Sequence, residues 1–295
     1  MDIAVGVQTW GTDVAALQRY WRRVDALGYA RLTYGDGLGN WTHDGWTMLG
    51  AMALATTRVR VGSAVTYCFD ASSHHPSWLA KRSVAVDHLS NGRFDLRLGV
   101  GAEDEASAAL WKSHGIDYPS AGERLSRLEE TVKAVRTLWA GRLEPKPIQS
   151  PGPPVWVAAM GPRALALTAR VADGWEASYL TPDALAGRWT RVRALLADAG
   201  RDPEGLRRSV EVDVVIGRDM YEIAARIEQF SASRAIEARH SLLDTALVGE
   251  PAAIRDQIKR FADAGATDLM LGFADFPDTG MLELFAETMD LQGGT

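Results

Sequence analysis

The sequence predicts an α/β chain whose eight parallel strands close into a (βα)8 TIM barrel with short insertions. Three observations predict it. Short apolar runs alternate with longer segments of helical period along the whole chain. The strands count to eight, as a closed barrel requires. No dinucleotide fingerprint follows the first strand, which disfavours the rival doubly wound open sheet. A barrel of this kind runs ~250 residues or more as one unit, so residues 1–295 read as a single domain.

The elements follow in order. "IAVGVQ" reads as a buried strand. The next segment places Val14, Leu17, Tyr20, Trp21, Val24 and Leu27 at steps of three and four, and Gly28 is its stop. "ARLTYGD" is strand two, and Asp44 begins the helix after it. "RVRVGSAVTY" alternates as strand three should. Pro76 opens a helix that Asn91-Gly92 closes. "RFDLRLGVG" is strand four. The stripe Leu125, Leu128, Val132, Val135, Leu138 and Trp139 makes an amphipathic helix, with Glu129 and Lys133 paired across one turn. "PPVWVAA", "GWEASYL", "SVEVDVVIG" and "ATDLMLGF" are strands five to eight. Thr181 caps the helix after strand six with Pro182 at its first position, and the last helix begins near Asp278. Two segments fit this series poorly: Trp111 to Ser120, and Tyr221 to Gly249, whose second half reads as an extra helix. "EPKPIQSPGPP" reads as an extended loop.

Composition narrows the function classes. A net charge of −6 gives no broad footprint for nucleic acid. One cysteine, Cys68, allows neither an intrachain disulfide nor a thiolate zinc cluster. No segment approaches the ~20 apolar residues of a membrane span, and no signal peptide is visible, so a cytoplasmic chain without a membrane partner is expected.

In a βα barrel the chemistry lies at the C-terminal ends of the strands. After strand two, "YGDGLGN" places Asp36 among glycines, as a site carboxylate or a solvated turn residue. After strand three come Tyr67, His74 and His75. Adjacent histidines on an extended chain point different ways, so no metal site is expected, but a ligand contact or proton donor is. After strand four, Gly99, Gly101, Ala102 and Glu103 offer bare backbone followed by a carboxylate. The glycines mark either close approach of a ligand or the taper of the barrel. After strand five, Ala159 and Met160 lead into Gly161, Pro162 and Arg163. This start of a helix suits an anion, although Gly and Pro also serve as plain capping. Glu176, Ser178 and Tyr179 follow strand six. Trp10, Trp46, Trp156 and Trp175 lie near strand ends, where they suit a flat ring ligand or fill the core.

Five stretches together resemble the luciferase-like oxidoreductase superfamily, the (βα)8 proteins that use FMN or the deazaflavin F420. They are Thr56 to Val65, Val86 to Glu103, Gly122 to Trp139, Pro153 to Trp175 and Val248 to Leu271. The resemblance implies a non-prolyl cis peptide at Ala64–Val65 that backs the cofactor ring, with Asp36 and Gly37 nearby. It implies a phosphate at Gly161–Arg163 and backbone amides of Gly101–Glu103 along the cofactor tail, with Lys112 within reach. Many F420-dependent relatives carry Asp-His after strand two, whereas this chain has Asp36-Gly37. A proton donor must then come from Tyr67, His74, His75, Glu103, His114 or Tyr118. The expected activity is an F420-dependent oxidoreductase working as a reductase. It passes hydride between C5 of the deazaflavin and an activated C=C or C=N bond of a small organic substrate. An FMN-dependent monooxygenase is the alternative, and a barrel that has lost its cofactor is the third. A homodimer is expected.

Overall fold

The computed structural model describes residues 3–70, 74–234 and 241–291. Its strands are β1 (Ala4–Thr9), β2 (Arg31–Tyr34), β3 (Arg60–Ser63), β4 (Thr66–Tyr67), β5 (Phe94–Gly99), β6 (Val155–Ala158), β7 (Gly174–Ser178), β8 (Arg207–Ile216), β9 (Leu247–Gly249) and β10 (Asp268–Phe273). The helices of the first half are α1 (Val14–Leu27), α2 (Gly45–Ala55), α3 (Pro76–Leu89), α4 (Glu105–Ser113) and α5 (Ala121–Ala140). The second half adds α6 (Pro162–Val171), α7 (Pro182–Asp198), α8 (Met220–Arg234), α9 (Ser241–Thr245), α10 (Pro251–Asp263) and α11 (Gly280–Thr288).

The sheet runs β10-β1-β2-β3-β5-β6-β7-β8, and β8 pairs back onto β10, so the barrel of eight parallel strands is closed. The two short additions are local. β4 pairs with the end of β5 just beyond a break in strand three, and β9 extends the far end of β8.

Helix starts fall where local chemistry puts them. Asp13, Asp44 and Thr181 each accept the backbone N–H three residues on, at 2.9, 2.7 and 3.3 Å. Ser120 and Glu123 form a reciprocal capping box at the head of α5. The last helix begins at Gly280, two residues after the expected point. The extra helix expected late in Tyr221–Gly249 is represented by α9, and residues 235–240 lie outside the described set.

Alternation sorts each strand into two faces. One set, including Val5, Val7, Leu32, Val61, Leu96, Leu98, Val157 and Val212, is buried in the apolar core under the helices. The other set fills the barrel interior and is partly charged. Arg31 pairs with Asp95 and Asp268 at 2.5 and 2.9 Å, and Arg97 pairs with Glu176. Trp156 lies between the two arginines, with guanidinium carbons 4.8 and 4.6 Å from its ring centroid. At the C-terminal rim the same alternation reaches Gly35, Ala64, Gly99, Ala158 and Gly272. Small residues there leave the mouth of the barrel hollow. Among the described residues, no helix is long and apolar enough to cross a membrane.

Candidate active site

Two cavities open at the mouth. The larger, about 700 Å³, lies above β5, β6 and β7. Val65, Tyr67, Gly99, Ala158, Glu176 and Ser178 line its inner wall, and Gly161 to Ala164 line one end. The smaller, about 370 Å³, lies above β1, β2, β8 and β10. The Ala64–Val65 peptide separates them: Val65 lines the larger cavity and Ala64 the smaller. This peptide is cis, as the resemblance implied.

The break in strand three is held by a buried polar chain. The Thr66 hydroxyl donates to Asp36 Oδ2 at 2.7 Å, and Ser63 Oγ donates to the Arg97 carbonyl at 2.9 Å. Ser63 Oγ also accepts the Thr66 N–H at 3.2 Å. Asp36 and His74, proposed separately from the sequence, come together, with His74 Nε2 3.7 Å from Asp36 Oδ2. Burial pushes the Asp36 carboxyl above the ordinary carboxylate range, against the pull of His74 and Thr66. Neither residue is among the described lining of these two cavities. Asp36 packs beneath Gly45, where any Cβ would come within 2.6 Å of its Oδ1. Through Thr66 it contacts the break at residues 63–66. Gly37 is likewise outside both cavities, and its carbonyl accepts from Thr42 Oγ1 at 3.2 Å.

Tyr67, Ala102, Glu103, Ala159, Met160, Pro162 and Arg163 all line the larger cavity. Burial, then the neighbouring Tyr118, Asp36 and Glu211, pushes the Tyr67 phenol up to about 12. Gly161 supplies no side-chain cap to α6, so the first N–H groups of that helix face the cavity end with Arg163 beside them. The opening glycines have reasons of their own. A Cβ on Gly99 would come 2.4 Å from Val65 Cγ2, so its bareness serves the valine of the cis peptide before any ligand. Gly101 has φ +76° and sits under the Tyr118 hydroxyl. Asp104 caps α4 and turns away with Glu105, which leaves Glu103 at the rim.

Other donors named from the sequence have structural duties. His75 Nδ1 caps α3 by accepting the Ser77 N–H at 3.2 Å. Tyr118 donates to the Ala102 carbonyl at 2.5 Å and stacks on Arg124. His114 ends α4 against the Leu110 carbonyl. The sequence reading missed Gln8, Glu211, Asp213 and Gly272, which line the smaller cavity. The signal was present in "SVEVDVVIG", where two carboxylates alternate inside an otherwise apolar strand.

A model of the luciferase-like monooxygenase family matches residues 2–268. The chain belongs to this family. Among solved structures, an F420-dependent secondary alcohol dehydrogenase in complex with an F420-acetone adduct superposes with TM-score 0.83 and 17% identity, covering 99% of each chain. The monooxygenase RslO1 of Streptomyces bottropensis superposes with TM-score 0.76 and 22% identity, over 98% of this chain and 97% of that one. At these identities the likeness shows the barrel alone. A phthiodiolone/phenolphthiodiolone dimycocerosates ketoreductase of Mycobacterium kansasii is 30% identical over 205 residues, 63% of this chain and 53% of that protein. The chain thus spans about half the length of that curated relative.

Proposed function

We propose that this chain is an F420-dependent oxidoreductase working as a reductase on a small organic molecule with an activated C=C or C=N bond. One observation carries the reading. The larger cavity ends on one side at a helix start without a side-chain cap, flanked by Arg163, and on the other at the Ala64–Val65 peptide. That spacing suits a cofactor with an anionic tail and a flat ring. The residues fit it: the walls are mostly apolar, and the anion end supplies backbone N–H groups and a guanidinium. Arg163 and the amides of α6 would hold the phosphate, and Val65, Gly99 and Ala158 would face the ring. When bound, reduced F420 supplies hydride from C5.

The chain's own groups then orient and exclude. Val65 and Ala64 fix the face presented to the second cavity. Tyr67, protonated up to about 12, is held at the wall as a donor where the acceptor needs a proton. The family's name and the monooxygenase neighbour favour FMN-dependent oxygenation as the second reading. The reading keeps a homodimer as the assembly, supported by exposed Leu54, Trp78 and Leu89 on neighbouring α2 and α3.

Titration of the purified protein with F420 and with FMN, followed by quenching of cofactor fluorescence, tests the reading. F420 is expected to bind, and Arg163→Ala to weaken it by about tenfold or more. Tight FMN binding with no response to F420 would sink it. An unchanged affinity in Arg163→Ala would remove the phosphate assignment.

A further inference from the structure

We propose that Glu176 reads the cofactor ring, accepting a hydrogen bond from the imide N3–H at the ring's pyrimidine edge. This rests on the proposal of a ring cofactor in the larger cavity. It holds for F420 and FMN alike, because both rings carry that imide.

Strand register sets up the meeting. Leu98 pairs with Val157, and Ala158 pairs with Glu176, so Gly99, Ala158 and Glu176 follow one another across β5, β6 and β7. A Cβ on Gly99 would come 2.4 Å from Val65 Cγ2 and 3.9 Å from Ala158 Cβ, which puts Val65 at the head of the same row. All four residues line the larger cavity. From Val65 through Gly99 to Ala158 the row carries no polar side-chain atom. A flat ring laid along it meets its first polar side chain at Glu176.

That side chain is held by a buried partner. Glu176 is 4% exposed, and its Oε2 accepts from Nη2 of Arg97, itself 1% exposed. The second oxygen, Oε1, has no hydrogen-bond partner among the described residues and is not wholly enclosed. It is therefore the acceptor open to the cavity. Burial raises the pKa of this carboxyl, against the pull of Arg97 and with a further push from Glu211. With a guanidinium bonded to one oxygen, the group accepts at the other. The remaining carboxylate of the described lining, Glu103, is exposed at the rim, and Ser178 gives its hydroxyl proton to Glu211 at 2.9 Å.

The chemistry of the ring selects the edge. The benzenoid edge of FMN presents methyl groups, which would cover Oε1 and leave it unpaired. The imide edge presents an N–H, which pairs it.

The test compares F420 with its N3-methyl derivative, and FMN with N3-methyl-FMN, by fluorescence titration of the purified chain. For whichever parent binds, the methyl derivative is expected to bind at least about tenfold more weakly. Glu176→Gln should bring that ratio toward one, because Arg97 takes the amide oxygen and turns the amide N–H toward the ring N–H. Adding Arg97→Met frees the amide to turn its oxygen to the cavity and should restore the ratio, a rescue that lost packing would not give. Should Glu176→Gln fail to fold beside Arg97, two double variants decide. The ratio should be kept in Arg97→Met/Glu176→Gln and lost in Arg97→Met/Glu176→Ala. A ratio near one in the unaltered chain, or the same ratio in every variant, would overturn the inference. Binding of neither parent would remove the cofactor cavity and this contact with it. Binding of a parent with an unmoved ratio would remove the contact alone.

Discussion

At the scale of single residues, side chains at the mouth of the barrel differ in whether they face a cavity. Tyr67 lines the larger cavity, and its phenol, pushed up to about 12, is protonated at neutral pH. His74, by contrast, is turned onto Asp36 behind the wall. For a neutral acceptor that must gain a proton along with hydride, Tyr67→Phe should lower kcat by ~10²-fold with little change in cofactor affinity. Steady-state rates beside a fluorescence titration check this, and an unaltered kcat would return the donor role to Glu103 or to water. The sign of the pH effect follows from the raised value: donor capacity is full at neutral pH and fades only as pH rises toward about 12. Asp25 shows the opposite case. It lies beneath the loop before β3, where burial raises its pKa. Three backbone N–H groups, those of Val59, Thr57 and Arg58, together with the Thr57 hydroxyl, outweigh that and leave it lowered. The stability it contributes is present above the unfolded carboxylate pKa of about 3.9. It is lost as pH falls through the lower folded value. Asp25→Asn should therefore cost about 2 kcal/mol at pH 7 and less at pH 3, measured by urea unfolding at both.

At the scale of elements, the junction of β3, β4 and β5 decides the geometry of both cavities. Val65 and Gly99 fit as a pair, since a methyl group at 99 has only the stiff branched side chain of Val65 to displace. Gly99→Ala should weaken cofactor binding by about tenfold and cost about 1–3 kcal/mol of stability. Adding Val65→Ala should restore part of the stability, and a double-mutant cycle would measure the coupling. Additive losses would show that the two side chains do not compete. How much of this was legible varies with the range of the cause. Asp44, Pro76 and Thr181 announced their helices because capping is decided within four residues. The start of α6 at Gly161 and Pro162 was visible for the same reason. Glu211 and Asp213 were passed over because a strand buried on both faces does not declare which face is the barrel interior. That Asp36 meets Thr66 was not legible, because Thr66 lies thirty residues on, across a strand pairing no local pattern records.

At the scale of the whole molecule, the barrel is closed by more than backbone pairing. Asp268, at the head of the last strand, joins three strands at once. It accepts from Arg31 of β2 at 2.9 Å and from Arg207 of β8 at 2.8 Å. Arg31 continues to Asp95 of β5, and Asp95 to Arg60 of β3 at 2.6 Å. This chain of alternating charge, Arg207–Asp268–Arg31–Asp95–Arg60, lies at the end of the barrel opposite the cavities, where it bears on stability. Burial raises the pKa of Asp268, and Arg31, Arg207 and Thr267 together lower it by more. Its contribution is thus full above the unfolded carboxylate value and is lost as pH drops through the folded one. Removing the charge leaves Arg207 without its carboxylate and the almost wholly buried Arg31 with Asp95 as its one remaining carboxylate partner among the described residues. Asp268→Asn should then destabilise the fold by about 3–5 kcal/mol at pH 7. Replacing Arg207, whose side chain is 46% exposed, by Gln should cost much less. Urea unfolding of both variants measures the difference. Equal losses would mean that the closure depends on the strand ladder alone and that the interior charges only fill space.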